Sequence, residues 1–346
     1  MKKLLLALVL VALLVQAAAI VIIFTNPLLR RTHKPCRKSH VIYGAAGAGT
    51  NYQMRIKVHY DSGTDNGEDV YLNHNGRMDF GDVRFVDDDG VTELNYWIQE
   101  KVYGRYAIFW VEVRDNLSLQ SQIIYMYYGN IKATSASSIT DTFIVAMDTE
   151  RTAVGDTPVG WSDRSTGTSS ATVQSDQSKY GASSLKLVDA GIQQYGSIEK
   201  VGSWLPDTFA VEFAVRASDQ AGYDQVLLAR SVSRSEAWRY LPCSYMGMEI
   251  QSASYSGRLT DSSVNTWYEV SIICNDGYDQ VEAIYVDGVE RLGGSTDFRS
   301  PVTITSFSWS TSYSYTGNLW LDGFRVRKYV SPEPTHGAWE AEETVE

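Results

Sequence analysis

Short aromatic and β-branched runs separated by turn residues recur along most of this chain, and they constrain its fold more than any other feature. The clearest series lies in residues 79–130, where such runs alternate with polar segments. Asp89-Gly90 separates two of them, and glycine accepts the positive φ that a tight hairpin turn requires. Because stretches of this composition favour strands over helices, the pattern predicts an all-β protein.

Two of the runs also show the period-two alternation of a strand that has one buried face. Many such short strands with regular turn signals are typical of sandwiches, so we expect two β-sandwich (jelly-roll-like) domains. The alternating apolar positions are Met54, Ile56, Val58 and Tyr60 in the first half, and Phe209, Val211, Phe213 and Val215 in the second.

The N-terminus carries an apolar run from Leu4 to Phe24 behind two lysines. As a helix the run would extend about 31 Å, enough to cross a bilayer, whereas Ala17-Ala18-Ala19 fits the cleavage pattern of a signal peptide. The basic residues that follow would favour a cytoplasmic location for that side if the segment were retained. We therefore predict an exported protein that is either secreted or membrane-anchored, and both readings stay open.

Shifts in composition divide the chain further. A polar Ser/Thr/Ala stretch without periodicity separates the two strand-rich halves, and the last residues are acidic and contain proline. We expect this acidic tail to form an extended strap across the body. The predicted segments are a signal peptide or anchor with its basic flank (1–40), a first β-domain (41–131), a linker (132–142), a sandwich (143–330) and the tail (331–346).

The charge distribution excludes one class of partner. The chain has 30 basic and 41 acidic residues, and seven of the basic ones precede residue 41. The body of the protein therefore carries 23 basic against 41 acidic groups. Nucleic-acid binding requires a basic surface, so we expect no nucleic-acid partner.

Four motifs in the first half carry a resemblance to a known family. In order they are Asp82-Val83-Arg84-Phe85, Tyr96-Trp97-Ile98, Phe109-Trp110-Val111 and 125–130. With them the region 45–130 resembles an uncharacterised β-domain of archaeal and bacterial surface proteins, which is often followed by a laminin-G-like (concanavalin-A-like) sandwich. Residues 141–330 resemble that sandwich. The resemblance implies a surface protein and brings no known catalytic residues.

Motifs for catalysis are missing from the sequence. A laminarinase-type glycosidase on the resembled fold would need Glu-x-Asp-x-x-Glu, and neither this spacing nor the zinc-protease and nucleophile-elbow motifs occur. We therefore expect a binding protein and not an enzyme. The main hypothesis is an adhesion or carbohydrate-binding module whose partner is a glycan or a surface protein. The alternatives are a structural component of an envelope, appendage or particle, and a divergent glycan-active enzyme.

Two aromatic stretches in the second half have the composition of a sugar-binding site, in which rigid rings stack on sugars beside a few polar groups. The alternative is that the same rings form the core of the sandwich or cover an interdomain contact. The candidate ligand-binding residues are Trp238, Tyr240, Tyr245, Tyr313, Tyr315 and Asn318.

Two further expectations concern stabilising bonds. The resembled sandwiches often bind a structural Ca²⁺ where the first and last strands meet, and Asp148 and Asp322 occupy comparable places here. The alternative is that both carboxylates cap turns. Cys243 and Cys274 could form a disulfide in an exported protein, or they could be two buried thiols on separate strands.

Overall fold

The computed structural model describes residues 35–118, 120–191, 193–202, 205–219, 226–231, 233–244, 247–253, 255–311 and 317–345, and nearly all of their regular structure is β-strand. The all-β fold predicted from sequence is therefore confirmed. The predicted N-terminal apolar helix lies outside the described residues. Among those described, no helix has the length and apolarity that a membrane crossing needs.

The strands follow one another with a single short helix between the two halves of the described chain. The first half contains β1 (Cys36–Tyr43), β2 (Tyr52–His59), β3 (Asp69–Tyr71), β4 (Arg84–Val86), β5 (Tyr96–Val102), β6 (Tyr106–Val113) and β7 (Gln122–Tyr128), and helix α1 (Ile139–Thr142) follows. The second half begins with β8 (Val145–Ala146), β9 (Ser162–Asp163), β10 (Ser170–Gln174), β11 (Ser184–Asp189), β12 (Ser197–Val201), β13 (Thr208–Ala217), β14 (Val226–Arg230), β15 (Glu236–Ser244) and β16 (Gly247–Gln251). It continues with β17 (Ser256–Thr260), β18 (Tyr268–Asn275), β19 (Gln280–Val286), β20 (Val289–Glu290), β21 (Thr296–Asp297), β22 (Ser306–Ser310), β23 (Gly317–Lys328), β24 (Thr335–Trp339) and β25 (Glu343–Thr344).

The first domain is built from two sheets. Sheet I has the order β24-β1-β7-β4, with β25 also paired to β1, and sheet II has the order β3-β2-β6-β5. Alternation positions the core as the sequence predicts, because successive side chains of a strand point to opposite faces. Met54, Ile56 and Val58 of β2 are buried, and they pack in one cluster with Phe85 and Phe109.

The second domain is a larger sandwich. Sheet III has the order β10-β11-β23-β13-β18-β19-β20, with β8 on β23 and β21 on β19, and sheet IV has the order β17-β16-β15-β14-β22-β12-β9. Their facing sides enclose one aromatic and aliphatic core. Phe213 of β13 lies at its centre, with ring centroids 4.8 Å from Trp309 and 5.6 Å from Tyr240.

The ends of the described chain meet in the first domain. Strand β1 begins at Cys36, so the last five residues of the segment predicted as a basic flank belong to the fold. The acidic tail returns from the second domain and adds β24 and β25 to β1, with Cys36 opposite Thr344 and Tyr43 opposite Thr335. The extended strap expected from sequence is thus an edge of sheet I.

One predicted bond falls partly outside the described chain. Cys274 of β18 is a free thiol in the structure and is fully buried, and burial raises its pKa well above the ordinary value. The side chain of Cys243 lies outside the described residues, so the pairing of these two cysteines stays a prediction.

Candidate functional site between the two domains

The two domains meet through the outer faces of sheets II and III. Trp97 and Trp110 project from β5 and β6 on the face of sheet II that points away from its own core, and both are buried. They pack in one cluster with Phe143, Tyr180 and Ala214. Alternation explains the arrangement, because Phe109 and Val111 point into the first domain and so turn Trp110 toward the second.

Helix α1 lies within the segment predicted as a linker. The hydroxyl of Ser138 accepts a hydrogen bond from the amide of Asp141, which is the usual cap of a helix N-terminus. Ile139 of this helix and Phe143 just after it belong to the same cluster as Trp110. The segment is therefore packed against both domains, and it helps to fix how sheets II and III face each other.

A buried ionic network of the second domain lies at this junction. Glu212 of β13 lies opposite Arg325 of β23, and its carboxylate oxygens lie 2.7 Å from Nη2 of Arg325 and 2.9 Å from Nε of Arg327. All three side chains are less than 10% exposed. Burial alone would raise the pKa of Glu212, but the two guanidinium groups outweigh it and hold that pKa below its ordinary value.

The arginines also contact the first domain. The guanidinium carbon of Arg325 lies 5.3 Å from the ring centroid of Trp97 and 5.2 Å from that of Trp110, and Arg327 lies 5.4 Å from Trp110. These are cation–π distances in a desolvated setting. Arg327 further donates to Glu333 at 2.6 Å. The two arginines therefore join the domains through their cation–π contacts with Trp97 and Trp110.

An open cavity of about 540 Å³, here cavity 1, lies beside this network. Arg55, Ile108 and Trp110 line it from the first domain. The half-buried rings of Tyr285 and Tyr329 line it from the second. Partly exposed rings among polar side chains are what a small polar ligand with apolar faces requires.

A second open cavity of about 600 Å³, here cavity 2, adjoins the first. Gln99, Glu100 and Tyr180 line both cavities. The side chain of Gln99 is held in place, because its Oε1 accepts a 2.7 Å hydrogen bond from Nε1 of Trp110. Cavities 1 and 2 together form what we call the interdomain cleft.

The predicted aromatic site is wrong for two of its residues. Trp238 and Tyr240 do share one face of β15, but that face points into the core, and both rings are fully buried. They pack between sheets III and IV, so a sugar could reach them only if the core opened. Asn318 is partly buried at the start of β23, and its backbone N–H donates a hydrogen bond to the hydroxyl of Ser218. The remaining candidates, Tyr245, Tyr313 and Tyr315, lie outside the described residues.

The carboxylates proposed for calcium lie around one small cavity of about 40 Å³, together with Glu150. Both also cap turns. Asp148 accepts from the amide of Arg151, and Asp322 accepts from the amides of Lys179 and Tyr180. Burial raises the pKa of Asp322 to about 7, and the charge of Glu150 contributes in the same direction. The oxygens of Asp148, Glu150 and Asp322 do not all lie within 4.8 Å of one another, whereas those of Asp87, Asp88 and Asp115 do, so among the described residues the structure does not bring the predicted calcium ligands together as a group of three.

Chelation tests the calcium prediction. If Ca²⁺ holds these carboxylates together, we expect EGTA to lower the melting temperature at pH 7.5, and added CaCl₂ to restore it. The Asp322→Asn variant should melt at the same temperature with and without the chelator, because one ligand is gone. An unchanged melting temperature of the wild-type protein in EGTA would leave turn capping as the role of both residues.

Comparisons with known proteins extend this description. The model of a family described as a domain of unknown function (DUF2341) matches residues 79–164. This agrees with the expectation of an uncharacterised domain, but the match begins later than the predicted region 45–130 and runs into the second domain as far as Arg164, just beyond β9. No curated protein matches the chain at a significant level.

Solved structures give matches at low identity. A sialidase is 13% identical with a TM-score of 0.43, and the match covers 60% of this chain and 20% of the sialidase. The cellulose-induced protein Cip1 is 11% identical with a TM-score of 0.39, and coverage is 54% and 97%. The xylan-binding domain CBM22-1 of Paenibacillus barcinonensis Xyn10C is 11% identical with a TM-score of 0.29, and coverage is 54% and 93%. This chain thus spans a fifth of the length of the sialidase.

Proposed function

We propose that this chain is an exported surface protein that binds carbohydrate in the interdomain cleft. The observation that carries the proposal is cavity 1. Its accessible rings, Tyr285 and Tyr329, lie beside fixed charged groups on both walls. Sugar rings present apolar C–H faces that stack on aromatic side chains, and their hydroxyls bond to planar polar groups such as guanidinium and carboxylate.

The state of the carboxylates supports binding more than hydrolysis. A glycosidase of the usual type needs one carboxylic acid with a raised pKa to protonate the leaving oxygen. In cavity 1 the pKa of Glu212 is lowered by its arginine partners. Glu100 accepts a hydrogen bond from Tyr106, and Glu333 accepts one from Tyr52. Each of these side chains is thus already engaged within the protein.

A glycan array followed by calorimetry tests the proposal. We expect the wild-type protein to bind at least one class of glycan, and Tyr285→Ala to bind it about tenfold more weakly, because roughly 1.4 kcal/mol of stacking is lost. Tyr278→Ala is the matched control, since Tyr278 is 76% exposed in the turn between β18 and β19 and does not line cavity 1. If the wild-type protein binds no glycan on a broad array, the structural role is favoured instead. If Tyr285→Ala and Tyr278→Ala bind equally well, the binding site is not in cavity 1.

A further inference from the structure

The shape of the interdomain cleft limits what kind of glycan it can hold. Cavities 1 and 2 have similar volumes, about 540 and 600 Å³, and each alone is large enough for a small ligand. They share Gln99, Glu100 and Tyr180 on their common boundary. Neither is enclosed, and the shared lining residues place them side by side, so a ligand bound in cavity 1 can extend toward cavity 2.

An ion pair links the two parts of the interdomain cleft. Lys179 lines cavity 2 and Glu269 lines cavity 1, and their charged atoms lie 2.9 Å apart. Both side chains are partly exposed, at 32% and 44%. Because each residue belongs to a different cavity, the pair lies where they join and offers polar groups to a ligand that passes from one to the other.

The charges of the interdomain cleft are close to balanced. Cavity 1 is lined by three arginines and four glutamates, and cavity 2 by three basic and three acidic residues. Neither part therefore favours an anionic or a cationic ligand, which would need a clear excess of the opposite sign. An uncharged polar ligand fits the whole cleft.

On the basis of the proposed function, we infer that the interdomain cleft binds an internal segment of a linear, uncharged glycan, with several sugar units spread over both cavities. A terminal monosaccharide would use cavity 1 alone. The two ligand types differ in one measurable respect, which is how affinity depends on chain length.

The test measures affinity by calorimetry for β-1,4-linked gluco- and xylo-oligosaccharides of two to six units, together with the linear neutral glycans that bind on the array. We expect affinity to rise at least tenfold between the disaccharide and the hexasaccharide. Ser135→Trp places a ring in cavity 2, which Ser135 lines from an exposed position. This variant should bind the hexasaccharide no better than the disaccharide, and its affinity for the disaccharide should equal that of the wild type.

Ser295→Trp is the matched control. It introduces the same ring at an exposed serine that lines neither cavity 1 nor cavity 2. It should therefore bind every oligosaccharide as the wild type does, and equal melting temperatures of both variants exclude a folding defect. Equal affinity of the wild type for short and long chains, or an unchanged hexasaccharide affinity in Ser135→Trp, overturns this inference alone. If the wild-type protein binds none of these glycans, both this inference and the proposed function are overturned.

Discussion

Replacing Glu212 with alanine is expected to lower the free energy of unfolding by about 3–5 kcal/mol, the range found when one partner of a buried ion pair is removed. The loss arises because Arg325 and Arg327 would keep their charges in a site that excludes water. Urea titration followed by circular dichroism measures it. Since the two arginines contact Trp97 and Trp110, tryptophan fluorescence of the variant should also report a loosened junction.

An exposed ion pair of the same chemistry provides the control. Arg37 and Glu343 lie 2.8 Å apart, and their side chains are 36% and 61% exposed. Glu343→Ala should therefore lower the free energy of unfolding far less than Glu212→Ala does, since solvent screens such pairs. If Glu212→Ala lowered the free energy of unfolding no more than Glu343→Ala does, water would have to reach the two arginines. The conclusion that the network is buried would then be wrong.

Acidification is expected to weaken the attachment of β24 through His40. The His40 ring is fully buried in β1, stacks on Trp339 with centroids 3.9 Å apart, and places Nε2 at 2.9 Å from Nδ1 of His336. Burial, and after it the proximity of His336, lower the pKa of His40 to about 3. The unfolded chain takes up the proton near pH 6.5, so stability is full above that pH and is lost as the pH falls toward 3. The whole difference in pKa corresponds to a loss of about 5 kcal/mol.

The measurement has to separate His40 from Asp322, which acts in the opposite direction. The pKa of Asp322 is raised to about 7, so the folded state binds that proton first and gains stability as the pH falls from 7 toward 4. Comparing the wild type with His40→Phe cancels this contribution, because both proteins contain Asp322. We expect the stability advantage of the wild type to shrink by about 1.4 kcal/mol per pH unit between pH 6 and 4. A difference that does not change with pH would rule out a buried neutral His40.

Alternation predicted the strands and their core-facing residues well, because the pleat of a strand translates directly into period-two burial. It could not predict what covers the other face. In the sequence, Glu212 alternates with Phe213 as on a strand with one solvent-exposed face. In the structure the first domain covers that face, and Glu212 is buried. The sequence does show that Arg325 and Arg327 of β23 alternate with apolar residues, which is a signal for charged groups on one face of that strand. A single sequence does not show that this face lies beside Glu212 of β13.

Two residues of the predicted aromatic site were assigned wrongly for a related reason. Trp238 and Tyr240 were correctly placed on one face, but composition cannot tell a face that packs against another sheet from a face that meets a ligand. The start of the first domain was missed because Arg37 and Lys38 fit a basic flank as well as a strand. In the fold Lys38 is buried, and its Nζ donates to Asp65 at 2.6 Å and to the carbonyl of Tyr71 at 2.8 Å.

The pairing of β1 with β24 and β25 determines how the protein responds to tension. Cys36 and Thr344 lie opposite each other at the same end of an antiparallel ladder, so a force that pulls them apart opens the rungs one at a time instead of shearing them together. As long as these rungs hold, the force passes from one strand directly to its neighbour. The second domain and the cleft lie outside that path. A protein held at both of these points would therefore release β25 and then β24 at low force, while the sandwich and its junction stay unstretched until the strap has come away.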